Sequence, residues 1–543
     1  MSRGPTKPSS TRVALRIADG PGPAFLVAAA EALFQVDGVE IVLIVVTPSI
    51  GSRSSTDGWV HTALEAAYDR LERRLLRGGP AALSVRQVSL PSGVPTVVET
   101  SSTRLAEIIK AADVNVLVDL VADDQDAILP IPPDGRWRLR FAEEIGGVRR
   151  SLLARPSRST GLAESLLSIE LASGSLVEAE RGVSALRRIG FGRDRDAVYW
   201  RSSLLPARRL ARLPGGSSVP TSGIDHPAPP TSDGVMEPQM AARPPFLGLA
   251  STLVGKVVER LLFRSGWLVL VRQRDPDGPT PRDLTGFEPI HAPAGRFYAD
   301  PFVMSTPTGP ELYVEDCPDG AHRGRISVLE RGRTGRWEHK RVVLDDIDHR
   351  AYPHVVRTPA GIVVTPDGGR AGGVDLFLAR ARSGALEPLG RCLEGVAASD
   401  PTLLWHDDRY WLFVAVTGPG MNPWDELHVY FATTVDGLWH PHPRNPVVAD
   451  VRCARPAGRI FRRGDDLVRP GQDCSQAYGQ RIALSAITTL TPDEYEEHPI
   501  GSIEPEGLPQ IRRTHTYTFD GSVEALDGYG RVPRWPGRAA RSR

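Results

Sequence analysis

Residues 298–303 read Tyr298-Ala299-Asp300-Pro301-Phe302-Val303, and residues 398–404 vary the same pattern as Ala398-Ser399-Asp400-Pro401-Thr402-Leu403-Leu404. In both stretches a small residue, an aspartate and a proline lead into an apolar strand, which a turn and an aromatic-rich strand soon follow. Proline cannot donate a hydrogen bond to a β-ladder, so it belongs at the first residue of a strand or on an edge strand. Each motif therefore predicts an aspartate at the position where a strand begins, which we call the mouth of the strand.

Units of similar texture recur through the second half of the chain. They begin about fifty residues apart, a spacing typical of propeller blades, near Tyr298, Tyr352, Ser399, Arg455 and His515. The last unit is short, and the segment 267–272 could complete it by pairing the start of the domain with its end, which leaves no exposed edge. We therefore predict an all-β five-bladed propeller over residues 246–530, whose strand mouths converge.

The composition indicates a globular protein of two or three domains. The chain has 543 residues, of which 41% are hydrophobic and 24% are charged, and its 65 basic and 65 acidic side chains cancel. Without an excess of positive charge the chain is a poor binder of polyanions, so nucleic acid is not an expected partner. None of the four cysteines forms a Cys-x-x-Cys pair, and we expect reduced thiols and a cytoplasmic location.

No segment has the pattern of a membrane anchor or a secretory signal. The first ten residues are polar and lack the apolar core of a signal peptide. The most lipophilic stretch, residues 246–271, carries Lys256, Glu259, Arg260 and Arg264. These charges argue against a transmembrane span and favour an amphipathic helix that runs into a strand.

The first part of the chain has a different pattern. Residues 214–245 are rich in Pro, Gly, Ser and Thr and nearly free of large apolar residues, so we interpret them as a flexible linker. Residues 531–543 are interpreted as a disordered tail. Within residues 11–213, strand and helix patterns alternate, with strands at 13–17, 39–46 and 114–121 and helices at 24–34, 62–76 and 105–111. This alternation predicts an α/β domain with a mostly parallel sheet.

This N-terminal unit resembles the nucleotide-fold-like domain of formyltransferases. The resemblance rests on the first strand with its Gly-Pro turn, on residues 113–120 and on the segment 137–141. Formyl transfer in that family uses an Asn-His-Asp set, but this chain has no histidine between His61 and His226. Because the general base is missing, the resemblance implies a retained fold without formyl transfer, which could dock a partner protein.

Residues 265–530 resemble the five-bladed propeller of the glycoside hydrolases that include arabinanases, β-xylosidases and β-fructosidases. They are more similar still to the N-terminal domain named after plant glucosamine inositolphosphorylceramide transferases. The matching segments are Phe297–Phe302, Leu312–Asp316, Ala351–Val355, Ser399–Leu403, Asp408–Phe413, Ala454–Phe461, Arg469–Ser475, Tyr478–Gly479 and Thr514–Thr516. So many segments in one order are specific for the fold, and much less specific for the reaction.

The resemblance implies carboxyl chemistry at the strand mouths. Glycosyl transfer to water or to an alcohol needs two carboxyls across the scissile bond. In the hydrolase relatives an Asp on blade one is the base or nucleophile, an Asp on blade three orients the sugar, and a Glu on a later blade is the acid. Asp300 and Asp400 match the first two, but the third position holds Arg455. Among the closest unassigned carboxyls, Glu315, Asp316 and Asp473, we take Glu315 as the third catalytic candidate.

Arg455 indicates a second use of the cavity. A guanidinium binds phosphate or carboxylate through two hydrogen bonds, so the ring could hold an anionic or nucleotide-linked sugar. The candidate substrate-binding residues are His354, Arg455, Gln472, Asp473, Tyr478 and His515. Structural roles stay open, since the two aspartates could cap turns and the two histidines could be structural or could bind an axial ion. No cofactor and no metal site is predicted.

Two functions follow. One is an enzyme that acts on a glycosyl bond, by transfer or hydrolysis, in cell-surface polysaccharide or glycolipid metabolism. The alternative is a non-catalytic glycan-binding or scaffold protein. The missing third carboxyl favours the scaffold, whereas Asp300 and Asp400 favour the enzyme, which we expect narrowly.

Overall fold

The computed structural model describes residues 10–47, 80–98, 102–121, 129–145, 148–152, 161–187, 191–213, 263–275, 278–320, 323–368, 372–379 and 385–533. These residues form two compact units, one up to residue 213 and one from residue 263 onward, apart from 418–422. The predicted helix at 62–76, the linker at 214–245, most of the amphipathic helix after it and most of the C-terminal tail lie outside the described residues. No helix in the described ranges is long and apolar enough to cross a membrane.

The N-terminal unit consists of ten strands and four helices among the residues described. Its strands are β1 (Thr11–Ala18), β2 (Gly22–Pro23), β3 (Val39–Thr47), β4 (Val85–Arg86), β5 (Thr96–Val98), β6 (Val116–Asp119), β7 (Arg136–Ile145), β8 (Val148–Leu152), β9 (Gly161–Glu170) and β10 (Leu176–Leu186). Its helices are α1 (Ala24–Leu33), α2 (Ser102–Ala111), α3 (Phe191–Ser202) and α4 (Leu205–Ala211).

The main sheet of this unit is mixed, with the order β10-β9-β7-β6-β1-β3-β5. The strands from β7 to β5 pair in parallel, as the alternation of strands and helices predicts, and the hairpin β9–β10 adds antiparallel strands. The architecture is an α/β domain, whereas the likeness to formyltransferases stays a prediction.

The second unit is a five-bladed β-propeller. It begins with β11 (Phe263–Gln273) and β12 (Glu288–Ile290). Blade one has β13 (Arg296–Thr306), β14 (Gly309–Pro318), β15 (Arg325–Arg331) and β16 (Trp337–Leu344). Blade two has β17 (Ala351–Thr358), β18 (Gly361–Asp367), β19 (Val374–Ala379) and β20 (Leu386–Cys392). Blade three has β21 (Ala398–His406), β22 (Arg409–Val416), β23 (Leu427–Ala432) and β24 (His440–Pro441).

The last two blades complete the ring. Blade four has β25 (Arg455–Pro456), β26 (Phe461–Arg463), β27 (Asp466–Asp473), β28 (Arg481–Leu490) and β29 (Tyr495–Ile503). Blade five adds β30 (Ile511–Arg513), β31 (Tyr517–Asp520) and β32 (Val523–Pro533) to the two opening strands. Strand β11 pairs antiparallel with β32 along its whole length, so the first strand of the domain closes the ring with the last, as predicted from residues 267–272.

Apolar side chains between neighbouring blades hold the inner strands in place. Phe302 of blade one and Val355 of blade two are fully buried in the same cluster, together with Phe377. Burying a side chain of this size contributes about 1.5–3 kcal/mol. Packing of this kind fixes the positions of β13 and β17, and with them the residues at their mouths.

Blades one, two and three share an irregularity at the mouth of the inner strand. Asp300, Tyr352 and Asp400 have φ angles of 47°, 43° and 53°, in the left-handed region, and each precedes a proline. The ladder skips two residues there in all three blades. Because proline has no N–H, it fits into an interrupted ladder. The sequence predicted proline either at the first residue of a strand or on an edge strand, and the structure places it on an edge strand. In blades one and three the interrupted position is an aspartate that lines the central cavity.

Candidate functional site

A cavity of about 340 Å³ opens where the inner strands begin. All five blades contribute to its wall, which consists of Trp267, Phe297, Asp300, Glu315, Cys317, His349, Ala351, Asp367, Asp400, Arg455, Tyr478 and His515. The structure thus brings together the predicted catalytic residues Asp300, Asp400 and Glu315. It also brings the predicted binding residues Arg455, Tyr478 and His515 to the same wall. The volume lies at the small end of the range for ligand sites.

Asp300 is buried and fully hydrogen-bonded. Its Oδ1 accepts a hydrogen bond from the Thr516 hydroxyl at 2.7 Å, and its Oδ2 accepts one from the Tyr352 N–H at 3.2 Å. Its own N–H donates to Oδ2 of Asp527 at 3.1 Å. Burial raises the pKa of Asp300 to about 6, although the nearby His515 opposes the shift. This carboxyl can therefore gain or lose a proton near neutral pH.

Asp400 has a similar backbone but a charged partner. The Nε and Nη2 atoms of Arg455 donate to its two oxygens at 2.5 and 3.0 Å, and the Gln472 amide donates to Oδ2 at 2.8 Å. The N–H of Asp400 donates to Asp367 at 3.1 Å. Burial raises the pKa of Asp400 to about 6, and the Arg455 charge acts in the opposite direction.

This ion pair bears on the predicted role of Arg455. Its two-pronged face is already occupied by Asp400, and its Nη1 lies 3.4 Å from the Pro423 carbonyl oxygen. The Tyr478 ring covers the guanidinium, with 5.2 Å between the ring centroid and Cζ. The hypothesis that Arg455 grips an anionic sugar therefore lacks the free guanidinium face that it requires.

Glu315 is the carboxyl of the wall that has no hydrogen-bond partner among the residues described. Nε2 of His349 lies 3.9 Å from its Oε1, which is too long for a hydrogen bond, and burial lowers the pKa of this histidine. The ring proton of His349 points to Glu315, because Nδ1 accepts the N–H of Gly324 at 2.9 Å. Burial raises the pKa of Glu315 well above its usual range, and the charges of Asp300 and Asp367 raise it further. Glu315 thus faces the cavity in surroundings that favour its protonated form.

His515 lies in a fixed orientation beside Asp300. Its ring stacks on Trp267, with centroids 3.8 Å apart and an angle of 8° between the planes. Nδ1 lies 2.6 Å from Oδ2 of Asp527, and Nε2 lies 3.7 Å from Oδ1 of Asp300. Burial acts to lower the pKa of His515, but the charges of Asp527 and Asp300 outweigh it and raise the pKa above its ordinary value.

Three predicted binding residues do not belong to the cavity wall. His354 is fully buried against Phe302, with ring centroids 5.2 Å apart, and burial lowers its pKa well below the usual value. Gln472 lies behind the wall and supports Asp400. Asp473 is also buried behind it, where it accepts hydrogen bonds from Arg481 and the Ser475 N–H at 2.9 Å each. The described cavity wall therefore does not include these three side chains, and their role in substrate binding stays a prediction.

Two aspartates of the site were missed at the sequence level. Asp527, in β32, is fully buried and accepts the N–H groups of Asp300, His515 and Thr516 at 3.0–3.1 Å. Asp367, at the end of β18, plays the corresponding part for Asp400. The sequence signal that could have identified both residues is a single carboxylate within an apolar strand, since such a group needs buried hydrogen-bond donors.

One cluster of side chains near the cavity has the spacing of a cation site. Asp300, His515 and Asp527 offer ligand atoms within 4.8 Å of one another, which is a spacing that a cation could use. Within this cluster the Thr516 hydroxyl donates to Asp300, and Nδ1 of His515 pairs with Asp527. Further along the inner strands, Arg459 donates to the carbonyl oxygens of Val303 and Val355 at 2.7 and 2.8 Å. A guanidinium thus joins the blades near His354 and disfavours a second cation there.

Comparisons with known proteins agree with the family expected from the sequence. Residues 289–507 match the family model described as glucosamine inositolphosphorylceramide transferase 1, N-terminal. The protein named glucosamine inositolphosphorylceramide transferase 1 of Oryza sativa subsp. japonica is 33% identical over 211 residues, which are 38% of this chain and 28% of the relative. Its namesake from Arabidopsis thaliana is 31% identical over 211 residues, which are 37% of this chain and 27% of the relative. The chain therefore spans less than a third of the length of these relatives.

Several solved structures with some likeness to this chain are glycoside hydrolases. A Cellvibrio cellulosa α-L-arabinanase complexed with arabinohexaose is 16% identical, with 37% of this chain and 77% of that chain covered and a TM-score of 0.29. A family 117 glycoside hydrolase from Zobellia galactanivorans is 10% identical, with 49% and 90% covered and a TM-score of 0.33. Likeness at this level carries no inference about the reaction.

Proposed function

We propose that the propeller transfers or hydrolyses a single glycosyl unit that it binds in the central cavity. The observation that carries this proposal is Glu315, a buried carboxyl with a raised pKa that faces the cavity beside Asp300 without a hydrogen-bond partner in the described structure. A structural carboxyl is normally satisfied by donors, as Asp316 is by Arg296, Arg325 and Ser327. An unsatisfied acid at a cavity wall is suited to giving its proton to a substrate.

The remaining groups have complementary roles. Glu315 protonates the leaving oxygen as the bond to the anomeric carbon breaks. The Asp300 carboxylate either stabilises the positive charge that develops on that carbon or attacks the carbon as a nucleophile. The pair of Asp400 and Arg455 presents fixed polar atoms to the ring hydroxyls. Trp267 and Tyr478 provide apolar faces for the C–H side of the sugar.

The substrate class follows from the wall and from the relatives. Because the Arg455 guanidinium is occupied by Asp400, a neutral sugar unit fits this cavity better than an anionic or nucleotide-linked one. The names of the relatives support a glycolipid or cell-surface glycan as the larger substrate. Since the chain covers only 28% of the rice protein, we propose this substrate and do not transfer it from that relative.

For the N-terminal unit we propose a docking role toward a partner protein, in the cytoplasm. No disulfide joins the four cysteines, all of which the structure describes, and this supports a reducing compartment. Co-purification with and without residues 1–213, followed by identification of the bound chain, tests the docking role.

The function is tested with Glu315→Gln on a panel of paired 4-nitrophenyl and phenyl glycosides. We expect a loss on the order of 10²–10⁴ in kcat/KM with the phenyl leaving group, and a much smaller loss with 4-nitrophenolate, which needs little protonation. Glu311→Gln is the matched control, because Glu311 lies on the same strand but pairs with Arg341 away from the cavity. An enzyme that turns over no member of the panel, or a Glu315 variant with wild-type rates on phenyl glycosides, would contradict the proposal.

A glycan-binding protein without catalysis is the second candidate. It is favoured by the hydrogen bonds that already engage both aspartates, since such bonds are typical of structural carboxylates. Calorimetric binding of a saccharide whose glycosidic bond stays intact over many hours would support this alternative.

A further inference from the structure

Asp527 collects donors from two blades at one fully buried carboxylate. It accepts the backbone N–H groups of Asp300 in blade one and of His515 and Thr516 in blade five. It also lies 2.6 Å from Nδ1 of His515. The carboxylate thereby places the proton of the neutral imidazole on Nδ1 and leaves Nε2 as the basic atom.

The environment of His515 leaves one direction open. Trp267 covers one face of the ring, and Tyr478 meets it edge-on with centroids 5.2 Å apart. The charged groups that face it are Asp527, Asp300 and, at longer range, Asp400. Nε2 is directed to the cavity, 3.7 Å from Oδ1 of Asp300, which is too long for a hydrogen bond between these atoms.

Resting on the function proposed above, we propose that His515 is the base that activates the acceptor hydroxyl and that Asp527 is its positioning residue. The acceptor oxygen forms the new bond to the anomeric carbon as its proton passes to Nε2 of His515. The old glycosidic bond breaks, and the leaving oxygen takes the proton of Glu315. His515 ends as imidazolium and Glu315 as carboxylate, and exchange with water restores both.

The mouth of blade three, which holds Asp400, has no corresponding histidine beside its aspartate. Asp367 anchors the N–H of Asp400 as Asp527 anchors that of Asp300, but the neighbouring side chain is Arg455 rather than an imidazole. An arginine keeps its proton at all ordinary pH values and cannot act as a base. Only the mouth of blade one, among the strand mouths described, therefore combines a carboxylate with a group able to accept a proton near neutral pH.

The first test compares His515→Ala with Glu315→Gln on paired 4-nitrophenyl and phenyl glycosides, with water or added methanol as the acceptor. We expect His515→Ala to lose on the order of 10²–10⁴ in kcat with both leaving groups, because acceptor activation does not depend on the leaving group. Added imidazole should restore part of the rate of His515→Ala and none of the rate of Glu315→Gln. A His515 variant with wild-type kcat, or with a raised KM alone and no rescue by imidazole, would overturn the inference while the proposed function stands.

The second test isolates Asp527 through the pH profile. Asp527→Asn removes a charge that raises the pKa of His515 and of Asp300, so the acid limb of kcat should move to lower pH while the plateau falls. Asp367→Asn removes a backbone anchor of the same kind without touching the imidazole, and we expect its acid limb to stay in place. A uniform loss at all pH values in Asp527→Asn would show a structural role and overturn the positioning. A wild-type protein inactive on the whole panel would remove both this inference and the function on which it rests.

Discussion

The mouths of blades one and three have the same backbone and different chemistry. Asp300 and Asp400 share a left-handed φ, a following proline, an interrupted ladder and an anchoring aspartate on a neighbouring strand. Burial raises the pKa of each to about 6. They differ in the side chain opposite the carboxyl, which is His515 in one mouth and Arg455 in the other.

This difference shows what the repeated motif decides and what it leaves open. The motif places a carboxyl at the cavity, and the side chain of another blade determines whether that carboxyl exchanges protons or serves as half of an ion pair. We therefore propose that the Asp300 mouth is the reactive one and that the Asp400 mouth is a rigid part of the wall.

The largest expected effect is on activity. Asp300→Asn should lower kcat/KM on the order of 10³-fold, because it removes the carboxylate that faces the anomeric carbon. Asp400→Asn should lower it about tenfold, mainly through KM, because that side chain orients the sugar. Steady-state kinetics on the same aryl glycoside give both numbers, and a larger loss for Asp400→Asn would reverse the assignment.

Arg455→Met should have the largest effect on stability. It leaves Asp400 buried without its counter-charge, which we expect to lower the free energy of unfolding by about 3–5 kcal/mol. Urea unfolding of the propeller measures the loss. The double variant Arg455→Met/Asp400→Asn should recover most of it, whereas additive losses would show that the two side chains are not coupled in this way.

The pH dependence of stability should separate each aspartate variant from the wild type. The folded-state pKa of about 6 lies above the ordinary value of 3.8 for both Asp300 and Asp400, so the folded state binds more protons in that interval. The stability that this protonation contributes is complete below about pH 4 and is lost as the pH rises through about 6. The unfolding free energy of the wild type relative to Asp400→Asn should therefore fall across this window, on the order of 1–3 kcal/mol. A flat difference between pH 4 and 7 would contradict the raised pKa.

The contrast between the two mouths also shows which features could be predicted from the sequence. The repeated Asp-Pro motif and the spacing of the units were enough to predict the propeller, its closure by residues 267–272 and the convergence of Asp300 with Asp400. Strand alternation was enough for the α/β class of the N-terminal unit. These features depend on local pattern, which a sequence states directly.

The sequence did not predict which side chains of different blades contact one another. Glu315 and Asp316 are neighbours in β14 and point to opposite faces, so only the register decides which one meets the cavity. The pairing of Arg455 with Asp400 joins two strands of different blades, and the two residues lie 55 positions apart in the chain. Nothing in the local sequence of His354, Gln472 and Asp473 shows which way their side chains point, and the described cavity wall does not include them.

The smallest expected effect comes from the hydrogen bond that distinguishes the mouth of blade one. Thr516→Val removes the 2.7 Å hydrogen bond to Oδ1 of Asp300, which should cost about 0.5–1.5 kcal/mol of stability. It should also raise the pKa of Asp300, and so move the acid limb of kcat/KM slightly to higher pH. Gln472→Met, which removes a donor to Asp400, should cost a similar amount of stability and leave the acid limb unchanged. Equal shifts in both variants would remove the distinction between the mouths.

The most direct measurement is a crystal structure of Glu315→Gln soaked with the saccharide that the wild type turns over fastest in the glycoside panel. We predict one sugar unit in the central cavity, with the glycosidic oxygen within hydrogen-bond distance of the residue 315 amide and the anomeric carbon facing Asp300. Electron density for the sugar on another face of the propeller, with Asp300 and residue 315 untouched, would contradict the account.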